Sequence, residues 1–243
     1  MPVPRFHVPV PLSPGSLFDL PAGPARHAAQ VLRLRAGDTL TLFDGGGGEY
    51  RARIESMRRA EVTVRVENHA AVERESPLEV HLAQGISSGE RMDYTLQKAV
   101  ELGVASVQPL AMLRSVVKLD AERARKRTAH WQGVVIGACE QCGRNRVPAV
   151  GAPLPLSQWI AGAPAGLKLY LSPQSETGLA ALAPPTGPLW LLAGPEGGFD
   201  PGESALVEAA GFLPLRLGPR ILRTETAALA ALAALQALWG DFS

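Results

Sequence analysis

From residue 79 onward the chain alternates short apolar segments with amphipathic ones, and this alternation limits the possible folds more than any other feature. Strands are predicted at residues 79–84, 104–110, 168–171, 189–193 and 213–217. Helices are predicted at residues 89–102, 121–143 and 203–210. A last helix begins near Ala227, with the hydroxyl of Thr224 or Thr226 as its expected N-terminal cap. Strands and helices that alternate in this way form a parallel sheet with helices on both faces. The sequence therefore predicts an α/β domain.

Residues 1–72 have a different pattern, in which short alternating strands dominate. These strands are predicted at residues 5–8, 17–20, 39–43, 49–56 and 61–66, and one helix at residues 25–34. The pattern indicates a small β-barrel, a fold that often binds RNA, although a purely structural barrel is an open alternative. We predict three parts: a barrel at residues 1–72, a polar linker at residues 73–78 and the α/β domain at residues 79–243.

Charge is distributed unevenly along a chain whose net charge is only +1. Residues 114–148 hold eight basic and three acidic groups, whereas residues 73–113 and 149–243 each have a net charge of −3. The low total argues against a general nucleic-acid coat. The basic middle segment is a candidate phosphate-binding surface, with an ordinary solvated face as the alternative.

Targeting and metal-binding signals are weak. Residues 1–12 are interrupted by prolines and lack the apolar core of a signal peptide. The longest apolar run, at residues 227–239, is shorter than the roughly 20 residues that span a bilayer. Cys139 and Cys142 are the two cysteines, and no second Cys or His pair stands at zinc-finger spacing. We therefore expect a cytoplasmic protein without a metal site, in which the cysteines are small side chains one helical turn apart.

Two glycine-bearing stretches at residues 192–199 and 217–226 follow predicted strands and are the candidate ligand site. In open α/β sheets, ligands bind at the carboxyl ends of strands. The chain has no Walker A sequence and no Gly-x-Ser-x-Gly nucleophile elbow, and its last fifty residues contain no histidine. What remains is backbone amides, hydroxyls and four charged side chains: Glu196, Arg220, Arg223 and Glu225. Such a site suits binding and orienting reactants more than nucleophilic catalysis. The alternative is a purely structural role, with residues 194–198 as a tight turn and Arg223 with Glu225 as a salt-bridged helix start.

Several motifs, in a fixed order, identify a family that the chain resembles. They are His27 with Val31, Leu32 and Arg33, then Gly37-Asp38, residues 97–104, residues 140–144 with Val147-Pro148, the Gly-Pro-Glu-Gly-Gly run at 194–198, and Leu217-Gly218 with residues 221–227. On these motifs the chain resembles, over essentially its whole length, the bacterial 16S ribosomal RNA (uridine N3) methyltransferases, a branch of the trefoil-knotted SPOUT superfamily. It departs from the family at Arg91, where a lysine is common, and at Leu113, where an acid often precedes the arginine.

The resemblance implies a PUA-like N-terminal barrel, a knotted C-terminal methyltransferase domain with a parallel sheet, and a homodimer that acts on the RNA of the small ribosomal subunit. The knot follows from no pattern in the sequence, because knots are very rare. S-adenosylmethionine is the implied cofactor, held by loops after three strands. The implied cofactor-binding residues are Leu171, Ser172, Ala193, Gly194, Pro195, Glu196, Gly197, Gly198, Leu217, Gly218, Arg220, Ile221, Leu222 and Thr226.

The implied RNA-binding residues are mostly cations that would hold phosphates. They are Arg5, Arg26, Arg33, Arg114, Lys118, Arg123, Arg125, Lys126 and Arg127, with Glu140 and Arg144 at the RNA entrance. For catalysis we expect Arg223 to stabilise the uracil anion and Glu225 to orient Arg223 or take the N3 proton, with Glu196 as another candidate base. Two alternatives stay open at this point: a ribose 2′-O-methyltransferase of rRNA or tRNA, and a non-catalytic RNA-binding ribosome assembly factor.

Overall fold

The computed structural model describes residues 3–58, 61–162 and 164–242. Residues 1–2 and 243, the outer ends of the predicted domains 1–72 and 79–243, lie outside the described residues. Contacts divide the chain into two units. The N-terminal unit comprises Met1–Glu75 and Cys139–Val147, and the C-terminal unit comprises Ser76–Ala138 and Pro148–Ser243.

The N-terminal unit contains a five-stranded sheet. Its strands are β1 (Arg5–His7), β2 (Leu17–Asp19), β3 (Thr39–Phe43), β4 (Glu49–Arg58) and β5 (Glu61–Ala70), in the order β1-β3-β4-β5-β2. Helix α1 (Ala22–Arg26) continues into a turn of π-helix at His27–Val31. Because side chains alternate between the two faces of a strand, Leu40, Leu42, Ile54, Val62 and Val64 all enter one buried core. The predicted β-rich N-terminal part is confirmed.

The C-terminal unit contains a parallel sheet. Its elements, in chain order, are β6 (Val80–Gly85), α2 (Glu90–Glu101), β7 (Ser106–Ala111), α3 (Ala121–Cys142), β8 (Ala149–Val150), β9 (Leu154–Pro155), α4 (Leu156–Ala161), β10 (Leu167–Leu171), a 3₁₀ turn (Leu179–Ala181), β11 (Leu189–Ala193), α5 (Pro201–Ala209), β12 (Leu213–Leu215) and α6 (Thr224–Trp239). The strand order is β12-β10-β11-β6-β7-β8, and β9 also pairs with β7. Every pairing is parallel, which confirms the predicted α/β fold.

Helices cover both faces of this sheet. On one face Ala83, Tyr170 and Leu192 form a core with Trp159 of α4 and Val207 of α5. The neighbouring strand residues point to the other face, where α6 contacts β6, β11 and α2. Strands β12, β10 and β11 are adjacent and parallel, so their carboxyl ends lie at one edge of the sheet. This edge positions the candidate site.

The start of α6 differs from the prediction. The helix begins at Thr224, three residues before the predicted start, and its N-cap is Arg223, whose side chain makes no capping hydrogen bond. The expected threonine cap is therefore wrong. Thr224 Oγ1 donates its hydrogen bond to the carbonyl oxygen of Gly194, because a strand-end loop passes close to the first turn of the helix.

The segment Cys139–Val147 belongs to the N-terminal unit through specific hydrogen bonds. Arg5 Nη2 donates to Asn145 Oδ1 at 2.7 Å, and Asn145 Nδ2 donates to the Val72 carbonyl at 2.5 Å. Glu140 accepts a hydrogen bond from the backbone N–H of His7 at 3.0 Å. The last turn of α3 and the loop after it are thus part of the N-terminal unit, although they lie far from it in sequence.

Candidate active site

A cavity of about 560 Å³ lies where β10, β11 and β12 end. Ligand cavities typically occupy roughly 300–1,000 Å³. The cavity in this protein is lined by most of the residues expected to bind a cofactor: Leu171, Ser172, Ala193, Gly194, Pro195, Glu196, Gly197, Gly198, Leu217, Gly218, Arg220, Ile221 and Leu222. Arg223 and Glu225 line it as well, whereas Thr226 is exposed and stands apart from the lining. Thr226 misses the cavity because α6 begins at Thr224.

The loop after β11 approaches a neighbouring loop so closely that only glycine fits. A Cβ at Gly197 would lie 2.8 Å from the Cβ and 2.9 Å from the carbonyl oxygen of Arg114. Gly198 has φ +68°, a conformation that side-chain-bearing residues rarely adopt. The loop ends at Asp200, whose side chain accepts from Gly202 N and begins α5 with a capping box. The conformation of the loop is therefore restricted from Gly197 to Asp200.

Glu196 is held in place by three donors. Its Oε1 accepts from Ser88 N at 2.8 Å, from Ser88 Oγ at 2.9 Å and from Arg91 Nη1 at 3.0 Å. Burial acts to raise the pKa of the Glu196 carboxyl, but the hydrogen bonds from Ser88 and Arg91 outweigh burial and hold the pKa below its usual value. A carboxylate with a lowered pKa is a weaker base. The geometry favours Glu196 as an anchor of the loop over the general base that the sequence suggested.

Residues at the end of β6 also support the cavity, and sequence analysis missed them. Gln84 is fully buried, and its Nε2 lies 3.3 Å from the Gly194 carbonyl and 3.1 Å from Thr224 Oγ1. A Cβ at Gly85 would lie 2.5 Å from Pro195 N. The one signal available in the sequence was their position at the end of a predicted strand.

Unpaired charges face the cavity. The guanidinium groups of Arg216, Arg220 and Arg223 are exposed at its rim and have no hydrogen-bond or ion-pair partner among the described residues. Glu225 Oε2 is buried and has no hydrogen-bond partner in the described part of the chain. Buried polar atoms are normally satisfied. The site therefore offers cations and two unpartnered carboxylate oxygens, Glu196 Oε2 and Glu225 Oε2, to a bound molecule.

The cations expected to hold RNA fall into two groups. Most are exposed: Arg26, Arg33, Arg114, Lys118, Arg123, Arg125, Lys126 and Arg127. Arg33 has φ +53° and is the one described non-glycine residue with positive φ. Arg123 and Lys126 also form ion pairs along α3, with Asp120 and Glu122, and exposed pairs of this kind are weak.

Arg5, Glu140 and Arg144 are less exposed than the other expected RNA-binding residues. Arg144 is buried and forms an ion pair with Glu75. Arg5 forms an ion pair with Glu49, and its side chain is 14% exposed. Burial raises the pKa of Glu140. These contacts tie the segment 139–147 to its unit, and the RNA-binding role of the three residues stays a prediction.

The two cysteines form no disulfide in the structure. Cys139 and Cys142 are both free, and burial raises the pKa of Cys139 to about 12. Among the described residues no group of three or more His, Cys, Asp or Glu side chains could hold a metal ion. Within the same residues, no helix combines the length and apolar character needed to cross a membrane.

Comparison with known proteins identifies the family. A family model described as an RNA methyltransferase domain matches residues 74–236, and one described as an RNA methyltransferase PUA domain matches residues 24–67. The ribosomal RNA small subunit methyltransferase E of Buchnera aphidicola from Schizaphis graminum is 33% identical over 99% of this chain and 98% of its own length. The chain belongs to the ribosomal RNA small subunit methyltransferase E family.

Other members of the methyltransferase E family agree with this assignment. The Bacillus subtilis member is 31% identical over 90% of this chain and 89% of its own length. The solved Neisseria gonorrhoeae member, bound to S-adenosyl methionine, is 44% identical with a TM-score of 0.93 over 99% of this chain and 100% of that chain. A Legionella pneumophila structure with bound cofactor SAM is 44% identical with a TM-score of 0.97 over 100% of both chains. The expected combination of a PUA-like unit and a SPOUT methyltransferase unit is confirmed.

Proposed function

We propose that the protein transfers the methyl group of S-adenosylmethionine to N3 of a uridine in small-subunit ribosomal RNA. The observation that carries the proposal is the cavity at the ends of β10, β11 and β12, where Arg223 and Glu225 face the space beside the glycine-bearing loop. The site has no histidine among its lining residues, so positioning and electrostatics account for its chemistry. Family membership supports the cofactor and the substrate class.

The residues present fit S-adenosylmethionine. Gly194, Gly197 and Gly198 line the cavity with backbone that carries no side chain, and the cavity is large enough for a nucleoside. When bound, the cofactor supplies an electrophilic methyl group. We assign its binding to Leu171, Ser172, the loop 193–198, and Leu217, Gly218, Arg220, Ile221 and Leu222. Glu196 contributes by anchoring that loop.

Arg223 and Glu225 are assigned to the uracil base. The N3 hydrogen is weakly acidic and must leave before or during attack, and the unpartnered Glu225 Oε2 is a suitable acceptor. Negative charge then develops on the uracil oxygens, and the unpaired guanidinium of Arg223 stabilises it. Neither side chain has to break a hydrogen bond to act, since Arg223 and Glu225 Oε2 have no partner among the described residues.

RNA binding is assigned to the exposed cations. We propose that Arg26 and Arg33 of a barrel at residues 1–72, together with Arg114, Lys118 and the basic start of α3, contact phosphates, after which the target base is read in an unstacked conformation. We propose residues 73–78 as the linker to a methyltransferase domain at residues 79–243, from which Cys139–Val147 contributes to the N-terminal unit. The exposed apolar side chains of Leu113 and Val116 favour a homodimer. We also propose a cytoplasmic location, because the proposed substrate is ribosomal RNA.

The proposal is tested with small ribosomal subunits and free rRNA from a strain that lacks the family gene. We expect one uridine to gain a base methyl group, located by primer extension and nucleoside mass spectrometry, and Arg223→Ala to lower kcat at least about a hundredfold, as removal of one oxyanion donor does. Retention of cofactor binding by calorimetry separates this loss from misfolding. Ribose methylation would instead identify a 2′-O-methyltransferase. Absence of S-adenosylmethionine binding would identify a non-catalytic assembly factor.

A further inference from the structure

We propose that Gln84 and Thr224 are positioning residues that join the cofactor loop to the residues assigned to uracil. Three groups meet at this point: the Gln84 amide, the Thr224 hydroxyl and the Gly194 carbonyl. Thr224 Oγ1 donates to the Gly194 carbonyl oxygen at 2.5 Å, and Gln84 Nε2 lies 3.1 Å from Thr224 Oγ1 and 3.3 Å from that carbonyl oxygen. We call this group the 84–194–224 link.

The orientation of the Gln84 amide is fixed by its neighbours. Nε2 faces two carbonyl oxygens, those of Gly85 at 3.0 Å and Gly194 at 3.3 Å, and carbonyl oxygens only accept hydrogen bonds. The amide oxygen would be repelled in the same place. The side chain is fully buried, and its Oε1 has no hydrogen-bond partner among the described residues. Burying an amide oxygen without a partner costs free energy. We infer that this cost is offset because the Gln84 amide fixes the geometry in which the two segments meet.

The link connects two segments with different tasks. Gly194 begins the loop that holds the cofactor, and Thr224 lies between Arg223 and Glu225 in the first turn of α6. The N-cap side chain of Arg223 makes no capping hydrogen bond, and the hydrogen bond of Thr224 to Gly194 restrains this helix start. Without it, the loop and the helix start move independently, and the charged side chains lose their alignment with the methyl donor.

This inference rests on the proposed function, and the test keeps the two apart. Thr224→Val removes the hydroxyl at nearly constant volume, Thr224→Ser restores it, and Gln84→Ala removes the amide. Gln236→Ala is the matched control, since Gln236 is also fully buried and bridges Ser76 and the Leu102 carbonyl away from the cavity. The readouts are melting temperature, S-adenosylmethionine affinity by calorimetry, kcat and KM for RNA, and hydrogen exchange of residues 194–198 and 223–227.

We expect each of Thr224→Val and Gln84→Ala to weaken S-adenosylmethionine binding and to lower kcat, both by about tenfold. The KM for RNA should stay unchanged in these variants. Thr224→Ser should be close to wild type. Exchange should rise in both segments together. Gln236→Ala should lower the melting temperature while cofactor affinity and kcat stay unchanged. If Thr224→Val leaves exchange in residues 194–198 unaltered, or if Gln236→Ala reproduces its effects, the inference is overturned. If wild type binds no cofactor while Thr224→Val raises exchange in both segments, the link stands and the proposed function fails.

Discussion

Glu196 accepts two hydrogen bonds from Ser88, one from the backbone N–H and one from the hydroxyl. This pair ties the loop after β11 to the turn that precedes α2, and Arg91 adds an ion pair at 3.0 Å. A loop restrained in this way needs less ordering when a ligand binds, which favours affinity. The carboxylate therefore contributes through its charge and its fixed position.

The contribution of Glu196 to the stability of the folded protein should depend on pH. Because the pKa of Glu196 is lowered in the folded protein, its stabilising contribution is present above the usual value of 4.5 and is lost as the pH falls through the folded-state pKa. We expect Glu196→Gln to lower the urea midpoint near neutral pH and to approach wild type at acid pH. Glu176→Gln is the control, since Glu176 is exposed. A midpoint difference that persists unchanged into acid would contradict this account.

Substitutions of Arg144 and Arg127 should have different effects, the first on folding stability and the second on RNA binding. Arg144 is buried against Glu75, so Arg144→Ala leaves a carboxylate unpaired and should lower the free energy of unfolding by about 3 kcal/mol. Arg127 is exposed, so Arg127→Ala should keep that free energy within about 0.5 kcal/mol while weakening RNA binding. Chemical denaturation and filter binding measure the two effects. Equal stability of the two variants would argue against a structural role for Arg144.

A methyl group should be damaging at Gly85 and harmless at Gly133. At Gly85 it would overlap the Gly194–Pro195 peptide, and such overpacking costs about 1–3 kcal/mol. Gly133 lies within α3 with nothing within 4 Å of a built Cβ, so Gly133→Ala should stabilise the helix by about 0.8 kcal/mol. Thermal denaturation measures both. Calorimetry should show weaker S-adenosylmethionine binding for Gly85→Ala alone, and unchanged binding there would mean that the loop adapts freely.

The two cysteines should differ in reactivity. The Cys139 thiol is buried and its pKa is raised to about 12, so it carries almost no thiolate at neutral pH. We expect iodoacetamide to label Cys142 alone in the native protein and both cysteines after unfolding, as read by mass spectrometry. Cys142→Ser should keep full activity. Rapid native labelling of Cys139 would show that the end of α3 opens readily.

The sequence predicted the strands better than the connections between them. β3 and β11 have the predicted bounds because alternation and uniform apolar character are local signals. The strands β8 and β9, with two residues each, are too short to show a period. The family motifs located the cavity residues, yet Gln84 carries no local sign of its role, because its contacts lie 110 and 140 residues away in the chain.

Charge was the least informative signal. A count along the chain treats Arg144 and Arg127 alike, although one is buried in an ion pair and the other is exposed. Whether an arginine meets solvent or a carboxylate depends on tertiary contacts such as that with Glu75, which residue spacing does not reveal. The threonine cap failed for the same reason: the Gly194 carbonyl, contributed by a distant loop, takes the Thr224 hydrogen bond.

The contribution of Cys139–Val147 to the N-terminal unit has a consequence for biosynthesis. The first seventy-five residues are translated before residues 139–147, which include Asn145, the hydrogen-bond partner of Arg5 and Val72. At a translation rate of roughly 5–20 residues per second, several seconds pass between synthesis of the barrel strands and synthesis of that segment. Folding of the N-terminal unit is completed only after much of the methyltransferase unit has been translated, so maturation of the two units is interleaved in time.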